Sequence, residues 1–545
     1  MIPESAAPRP SPTAVERRRR LTRAALAALF TAGLVLPPVG ARQIVSGDEA
    51  RFALLAQDML TRGTWFDARV REERYRNKPF MYPWAIKLLS MPGGRVTQTT
   101  AHLPIAVGAV GAVFFTALLG QQLFGARAGV WAGLILASSY AFFAHSQILL
   151  PDMLVVAFGV AALSAFWAAM SHPPGARALV AFYACVALGI FAKGPMGALP
   201  LLVAVAWLLT EEGWRGLRRL GSKVGALVFV ALGLAWLVPF LFAGGLTFVR
   251  SVVWEDWLAW YLGGPHPLRV LNFWLEAAKG LIPWTTLFVL PLLAVRGQWR
   301  TGAVRLAFLA WLVPFVAMMV SQNQRTRYLL PTYPAAALMI AWWVDTRGGE
   351  RSRAVTVVSA LSCVGVLAAL AVTALPWRDP AERAAVAGFW WKAGPLVAGA
   401  VALGAFLVWA LRRRTSVLVP GVALGMALLL ASGVWIYTDS TNRQENYRAL
   451  AALVERHAGG GPVGIAGGRF FSIDFYLGRA LTSVRTEAAL AEWLARPDRP
   501  VLVATAKAWR PIKEDAAVPT EVLDSMLVRS HEMFIVRRAG ATAAR

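Results

Sequence analysis

Residues 101–144 read AHLPIAVGAVGAVFFTALLGQQLFGARAGVWAGLILASSYAFFA and contain only one Asp, Glu, Lys or Arg side chain, that of Arg127. The apolar runs on either side of this arginine, 101–124 and 129–144, are close to the ~20 residues that cross a bilayer as a helix. A positive charge in the short turn between two such runs is typical of a membrane-embedded helical hairpin. The stretch therefore predicts an α-helical integral membrane protein.

The same pattern repeats along the 545-residue chain, where about thirteen apolar segments are long enough to be transmembrane helices. Hydrophobic residues make up 57% of the chain and charged residues only 16%, against about a quarter in soluble domains. An ordinary soluble enzyme and a disordered chain are therefore both excluded. Besides the two runs quoted, the predicted spans cover residues 21–39, 153–170, 178–192, 196–209, 224–242, 281–295, 304–320, 328–344, 354–375, 388–411 and 417–437.

The net charge of +25 is concentrated in short loops, which indicates the orientation of the chain. We expect an uncleaved first span with a cytoplasmic N-terminus, because every short loop on the cytoplasmic side is then positive. This distribution favours a multi-pass protein of the bacterial inner membrane over a nucleic-acid-binding protein. The cytoplasmic charges are Arg17-Arg18-Arg19-Arg20, Arg127, Arg177, Arg215, Arg218, Arg219, Lys223, Arg296, Arg300, Arg305, Arg347, Arg351, Arg353 and the arginines 412–414.

Three segments are expected on the periplasmic side: loops of about 41–100 and 243–280, and the tail. Within the first loop, stretches 49–60 and 81–91 are interpreted as helices lying in the membrane interface. The tail alternates strands, at 462–466, 501–505 and 533–536, with helices at 442–457 and 486–494, which indicates a small α/β domain. The predicted division is a transmembrane domain, 1–439, and a periplasmic α/β domain, 440–545.

Polar candidates for chemistry gather on the periplasmic side. Asp48 and Glu49 follow the first span, where a carboxylate can serve as a general base, although a helix N-cap role for Asp48 is the alternative. The basic cluster 74–78 ends in Lys78 and suits a lipid phosphate, the alternative being nonspecific attraction to anionic lipid. Asp152 lies between two spans, where a carboxylate is costly unless it is paired or hydrated.

Lys193 ends its span, which fits either a cavity role or a lysine that snorkels to the headgroups. His266 and the pair Arg327-Tyr328 complete the set of candidates. The two cysteines lie in apolar runs, which excludes a disulfide framework and a cysteine-rich metal site. The sequence contains no Walker loop, GxSxG or HExxH motif, so ATP-driven transport and metalloproteolysis have no support.

Six motifs occur in order along the chain: GDEARFALLAQDML (47–60), YRNKPFMYPW (75–84), LLPDM (149–153), FAKGP (191–195), GGPHPLRVLNFW (263–274) and RYLLPTYP (327–334). Together they resemble the motifs of bacterial GT-C glycosyltransferases of the protein O-mannosyltransferase-like superfamily, and they are most similar to those of the lipid A aminoarabinose (4-amino-4-deoxy-L-arabinose) transferases. The resemblance implies thirteen spans with a periplasmic α/β tail, a periplasmic cavity roofed by the first loop, and a polyprenyl-phosphate sugar as donor.

The resemblance also implies roles for single residues. Asp48 matches the family's catalytic aspartate, and Asp152 matches its second cavity aspartate. The residues assigned to the donor phosphate are Lys78, Arg51, Tyr75 and Lys193. The remaining cavity candidates are Glu49, His266, Arg327 and Tyr328.

Two positions depart from the lipid A enzymes. This chain has Phe52 where they carry a tyrosine, and Asn77 where they carry a glutamate. Because that glutamate is associated with a bound metal in the family, the sequence gives no support for a metal site, and no other cofactor is predicted.

The predicted reaction is transfer of a sugar from undecaprenyl phosphate to a periplasmic acceptor such as lipid A or another envelope glycan. A cation stabilises the leaving phosphate, and Asp48 takes the acceptor's proton as the anomeric carbon inverts. One carboxylate suffices for a single displacement. Two alternatives stay open: a protein O-glycosyltransferase of the same fold, and a transporter or flippase of lipid-linked sugars.

Overall fold

The computed structural model describes residues 13–71, 73–75, 78–171, 175–258, 267–321, 324–347, 418–498, 500–514 and 519–539. Residue contacts divide the chain into two compact units. We call residues 1–39, 76–82 and 102–436 the membrane unit, and residues 40–75, 83–101 and 437–545 the loop–tail unit. The fold is predominantly helical, as the sequence predicts.

Apolar helices dominate the first two thirds of the chain. Six described helical runs are long and apolar enough to cross a membrane, or up to eight if each of two bent helix pairs is one span. The helices are α1 (Ala14–Val35), α2 (Gly47–Thr61), α3 (Met81–Ser90), α4 (Gln98–Phe124), α5 (Ala126–Ala137), α6 (Tyr140–Ser146), α7 (Asp152–Ser171), α8 (Ala176–Lys193), α9 (Leu199–Glu212), α10 (Lys223–Arg250), α11 (Pro267–Gly280), α12 (Thr285–Val295), α13 (Gly302–Met319), α14 (Tyr333–Arg347) and α15 (Leu418–Gln444).

The boundaries differ from the predicted spans in three places. The predicted span 129–144 is two helices, α5 and α6, bent by 62°. The first helix begins at Ala14, so the four arginines form its first turns and only the stretch after them is apolar. The predicted second loop, 243–280, is largely helical, because α10 continues to Arg250 and α11 covers Pro267–Gly280. The predicted spans 354–375 and 388–411 lie outside the described residues.

Helix α10 exposes an apolar surface that suits a lipid bilayer. Its mean hydropathy is 2.5, yet only 11% of its most apolar stretch is buried inside the protein. Phe242 is 89% exposed and Leu227 is 68% exposed. Soluble monomers rarely expose a continuous apolar surface of this kind, and the bilayer is the medium that covers it. The helix therefore supports a multi-pass membrane protein.

The chain reverses direction directly after Lys193. Gly194 ends α8 with a φ of 76°, a conformation that side chains disfavour. A 3-10 turn, Gly194–Ala198, then brings Gly197 against the backbone of Gly189, where an added Cβ atom would overlap the Gly189 carbonyl group. The glycines of FAKGPMGALP thus place Lys193 at the tip of a tight reversal between α8 and α9.

In the loop–tail unit, α2 and α3 begin and end within two residues of the predicted helices. The apolar stripe of α2, however, does not lie in the membrane interface. Phe52, Leu55 and Met59 are at most 3% exposed, because α2 packs on protein. On α3, Leu88 and Leu89 are exposed, so the interfacial expectation stays a prediction for that helix.

Strands are confined to the loop–tail unit among the described residues. Two short ones, β1 (Arg69–Val70) and β2 (Glu73–Arg74), form a hairpin between α2 and α3. The elements at the end of the chain are α16 (Tyr447–Ala458), β3 (Val463–Ala466), α17 (Phe471–Leu477), β4 (Thr482–Ser483), α18 (Glu487–Ala495), β5 (Val501–Thr505), α19 (Ala506–Glu514), β6 (Thr520–Val528) and β7 (His531–Arg538).

The end of the chain forms a five-stranded mixed sheet with strand order β4-β3-β5-β7-β6. Strands β3 and β5 are parallel and fully buried, and β7 runs antiparallel to β5. Helices pack on the sheet and bury two clusters of apolar side chains. Strand and helix alternate from α16 to α19, as the composition of the tail predicts.

Replacement of Gly197 by alanine tests the reversal after Lys193. The added methyl group has to displace backbone, so we expect the Gly197→Ala protein to lose about 1–3 kcal/mol of stability. Gly233→Ala is the matched control, because a Cβ atom at Gly233 in α10 meets nothing within 4 Å. Thermal unfolding of both purified variants in detergent measures the difference. Equal midpoints for the two variants would show that the close approach at Gly197 is absent.

Candidate active site

A buried ion pair lies at the centre of the candidate site in the membrane unit. Asp152 is the first residue of α7 and Lys193 is the last residue of α8. Their side chains are each 5% exposed, and the Lys193 ammonium group donates a hydrogen bond to Oδ1 of Asp152. A snorkelling lysine would reach the headgroup layer, so the structure excludes that interpretation. Lys193 is also the counterion that the buried Asp152 carboxylate requires.

Further cations surround the pair. The Lys193 ammonium lies 4.9 Å from the ring centroid of Tyr328, and the Arg327 guanidinium lies 5.7 Å from the same centroid. Arg327 and Lys78 are both within electrostatic range of Lys193. Among the described residues, Arg327 and Lys78 thus accompany the Asp152–Lys193 pair. Cationic side chains in a poorly solvated position suit a phosphate group, which offers several acceptor oxygens.

One oxygen of Asp152 is left for a ligand. Within the part of the chain that the structure describes, Oδ2 of Asp152 is buried and has no hydrogen-bond partner. Leaving such an atom unsatisfied costs about 1–3 kcal/mol or more for a charged group. A donor group on a substrate, such as a sugar hydroxyl, would satisfy it.

His145 is a residue that the sequence analysis missed. It lies in α6, and its Nδ1 is 2.8 Å from the carbonyl oxygen of Ala141. In the neutral ring this contact places the proton on Nδ1 and the lone pair on Nε2. Asp152, Lys193 and Arg327 all lie within electrostatic range of His145. The signal that would have found it is an ionisable side chain at the end of an apolar run.

A small apolar cavity lies among the same helices. It is lined by residues of α7 that follow Asp152, of the reversal that follows Lys193, and of the segment that follows Tyr328. None of the charged side chains around Asp152 lines it. The lining includes Val155, Val156, Gly159, Met196, Leu199, Val203, Pro331 and Pro334.

A second group of predicted residues lies in the loop–tail unit, at the start of α2. Ser46 is the N-cap of this helix and forms a capping box with Glu49. Asp48 is therefore in the first turn and is not the N-cap. Its carboxylate pairs with Arg51 and is 34% exposed. Arg51 in turn lies 5.9 Å from the ring centroid of Tyr75.

Glu49 does not have the cavity position expected from the sequence. It is 2% exposed and forms an ion pair with Arg42, with Nη1 of Arg42 at 3.2 Å from Oε2. The same carboxylate accepts a hydrogen bond from the Ser46 backbone N–H at 3.4 Å. Its oxygens are used to build the start of α2, so its role here is structural. His266 and Asn77 lie outside the described residues.

The predicted site residues thus fall into two sets, one in each unit. The membrane unit contains Lys78, Asp152, Lys193, Arg327 and Tyr328. The loop–tail unit contains Asp48, Arg51 and Tyr75, with Glu49 buried below them against Arg42.

Comparison with known proteins gives matches in both sequence and fold. The family model of dolichyl-phosphate-mannose-protein mannosyltransferases matches residues 77–242. The undecaprenyl phosphate-alpha-4-amino-4-deoxy-L-arabinose arabinosyl transferase of Edwardsiella ictaluri is 25% identical over 406 residues, 71% of this chain and 70% of that protein. The transferase of the same name from Pectobacterium carotovorum is 25% identical over 458 residues, 80% of each chain.

The fold resembles a solved structure over nearly its whole length. The crystal structure of ArnT from Cupriavidus metallidurans bound to undecaprenyl phosphate has a TM-score of 0.78 at 19% identity, and the match covers 98% of this chain and 100% of that one. At this identity the likeness concerns the fold. The membrane helices and the terminal sheet therefore occur together in a protein of known architecture.

Removal of one partner of the Asp152–Lys193 pair tests the charge balance of the site. Lys193→Met leaves a buried carboxylate without its counterion, and we expect a loss of about 3–5 kcal/mol in the free energy of unfolding. The double variant Asp152→Leu/Lys193→Met buries no charge and should recover most of that stability. Both are measured by thermal unfolding in detergent.

The control for this experiment is Lys279→Met in α11. Lys279 is 57% exposed and pairs with Glu276 at 3.6 Å, so the loss of this surface pair should cost at most about 1 kcal/mol. A double variant no more stable than Lys193→Met alone would contradict the proposed electrostatic balance.

Proposed function

Because the chain is similar in sequence and fold to GT-C glycosyltransferases of the protein O-mannosyltransferase-like superfamily, we propose that it transfers a sugar from a polyprenyl-phosphate donor to an acceptor in the bacterial envelope. The identification from the sequence motifs and the prediction of a glycosyltransferase are confirmed. The cationic side chains around the buried Asp152–Lys193 pair favour a donor that carries a phosphate group. ArnT, with the same fold, binds undecaprenyl phosphate.

The cations act on the donor's phosphate. When the bond between sugar and phosphate breaks, the phosphate oxygen gains negative charge. Lys78, Lys193 and Arg327 are fixed cations in a poorly solvated position, where their attraction to that charge is stronger than in water. The carboxylate of Asp152 holds Lys193 in place, and its second oxygen binds a hydroxyl group of the sugar.

Asp48 is the proposed general base. It takes the proton of the acceptor hydroxyl group as the acceptor oxygen forms its bond to the anomeric carbon, which inverts in a single displacement as the bond to the donor phosphate breaks. The exposed edge of its carboxylate leaves room for the acceptor, while Arg51 orients the other edge. Tyr75 packs beside Arg51 and limits its movement.

The orientation follows from the arginine distribution. A cytoplasmic N-terminus places the short arginine-rich loops in the cytoplasm of the cell and residues 440–545 in the periplasm. The donor is then used on the outer face of the inner membrane, where no soluble nucleotide sugar is present. A lipid-linked donor meets that requirement.

For the acceptor, we favour lipid A or another envelope glycan, because the sequence motifs resemble those of the lipid A aminoarabinose transferases and two relatives are named aminoarabinose transferases. The description of the family model supports a second candidate, the hydroxyl group of a protein side chain. Offering purified enzyme lipid A and an unfolded periplasmic protein in separate reactions with one labelled donor distinguishes the two.

Replacement of Asp48 by asparagine tests the base. The amide keeps the size of the side chain and leaves the capping box of Ser46 and Glu49 in place, but it accepts no proton. Transfer by Asp48→Asn should therefore be abolished while expression and unfolding stay unchanged. The assay measures label moved from a synthetic polyprenyl-phosphate sugar to the acceptor. Asp498→Asn, in an exposed ion pair of the tail, is the control and should remain active. Turnover by Asp48→Asn would return Asp48 to a structural role.

Replacement of Lys78 tests the phosphate contact. Lys78→Ala removes a charge-assisted contact that strengthens as the phosphate leaves, so kcat should fall as well as KM rise. The expected loss is about 1.5–3 kcal/mol, or roughly ten- to a hundredfold in rate. Lys78→Arg should recover only part of it, because a planar guanidinium does not reproduce a compact ammonium. An unchanged single-turnover rate in Lys78→Ala would exclude the role.

A further inference from the structure

The short hairpin of the loop–tail unit has an unusual residue at its turn. Strands β1 and β2 are antiparallel, and Val70 pairs with Glu73. The turn between them begins at Arg71, whose φ is 57°. Glycine or asparagine is the usual choice for this left-handed conformation, since a longer side chain costs energy there. An arginine at this position indicates that its side chain is needed.

The Arg71 side chain is bound to the tail. Its Nε and Nη2 atoms donate to the two carboxylate oxygens of Asp474, at 3.0 and 2.8 Å, and Nη1 donates to Ser483 Oγ at 2.6 Å. The guanidinium also lies 5.0 Å from the ring centroid of Phe471. Arg71 is 9% exposed and Asp474 is 1% exposed. The fork geometry makes this a specific contact, which lysine does not reproduce.

Asp474 is itself fixed by the tail. Besides Arg71, its Oδ1 accepts a hydrogen bond from the Leu481 backbone N–H at 2.9 Å. It lies in the short helix α17, which packs against α2 near Gly47 through Phe471. The Asp474 carboxylate therefore holds the Arg71 guanidinium in a fixed position.

The backbone of the hairpin links Arg71 to Tyr75. The Tyr75 backbone N–H donates to the carbonyl oxygen of Ala68 at 2.9 Å, which closes the base of the hairpin. The buried ring of Tyr75 then contacts Arg51, and Arg51 pairs with Asp48. A continuous path of contacts thus runs from Asp474 through the hairpin to the proposed base.

From this path we infer that Arg71 and Asp474 are positioning residues for transfer: the tail holds the hairpin, and the hairpin holds Tyr75 and Arg51 in the arrangement that orients Asp48. The inference rests on the proposed function. It assigns to the tail a part in catalysis through the first loop, whether or not the tail also touches the acceptor.

The chain contains a matched control for this contact. Arg485 of the tail pairs with Glu73 of the same hairpin at 3.0 Å, but these side chains are 59% and 70% exposed. An exposed pair contributes little, whereas breaking a buried pair leaves a charge without its counterion. Arg485→Ala should therefore leave kcat and the hydrogen–deuterium exchange of the Tyr75 amide as in the wild type.

Arg71→Gly is the decisive variant, because glycine suits a φ of 57° and removes only the side chain. We expect kcat to fall about ten- to a hundredfold, as for a catalytic group that is slightly misplaced. Because Arg71→Gly alone leaves the buried Asp474 carboxylate without its counterion, hydrogen–deuterium exchange is measured in the double variant Arg71→Gly/Asp474→Asn, which buries no charge. In this variant exchange of the Tyr75 amide should rise, while exchange in β3, β5 and the membrane helices stays as in the wild type. Arg71→Lys should recover little, and Arg485→Ala should match the wild type.

Two outcomes would overturn the inference. Wild-type kcat in Arg71→Gly and wild-type exchange at Tyr75 in the double variant would show that the side chain positions nothing. Raised exchange throughout β3 and β5 in the double variant would show that Arg71 only stabilises the tail. Failure of the proposed function is distinguishable, because a wild-type enzyme without transfer activity refutes the reaction, while the exchange measurement still decides whether Arg71 orders the hairpin.

Discussion

A charge that leaves water has to meet an opposite charge, and this constraint organises the described parts of the protein. Three buried ion pairs satisfy it: Asp152–Lys193 in the membrane unit, and Arg42–Glu49 and Arg71–Asp474 in the loop–tail unit. Each joins elements that are far apart in the sequence or fixes the start of a helix. The pairs determine where the ends of α7, α8 and α2 lie, and therefore where the remaining polar groups are available for chemistry.

The same constraint explains why some carboxylates are structural and others are available to a substrate. Glu49 and Asp474 are fully used by protein partners, whereas Asp152 keeps one oxygen without a partner among the described residues and Asp48 is one-third exposed. These two therefore keep hydrogen-bonding capacity that Glu49 and Asp474 do not have. Among the described residues, the cations Lys193, Arg327 and Lys78 lie near Asp152, which favours an anionic leaving group over a cationic one. A lipid-linked phosphate fits both this charge and the apolar surroundings.

The sequence predicts the apolar helices, the family and three strands of the tail, β3, β5 and β7, because each has a strong local or motif signal. It predicts α2 but not what α2 packs against, since an amphipathic stripe has the same period whether it faces lipid or protein, and Phe52 faces protein. Strand β6 was missed because most of its side chains are partly or fully exposed and its longest apolar run is only three residues, Met526 to Val528. The sequence alone does not decide between a general base and a helix N-cap for Asp48, since only the structure identifies Ser46 as the N-cap. Arg71 was missed altogether because its importance comes from Asp474, about four hundred residues away.

The proposed transfer of a lipid-linked sugar to an envelope acceptor can be tested by mass spectrometry of lipid A and other envelope glycans. The spectra are compared between a deletion strain and the same strain complemented with the wild-type gene. We expect a sugar-modified species that disappears on deletion and returns on complementation, while the polyprenyl-phosphate sugar accumulates in the deletion strain. Identical glycan spectra in both strains, with lipid-linked sugar failing to cross the membrane in the deletion strain, would contradict it and identify a transporter.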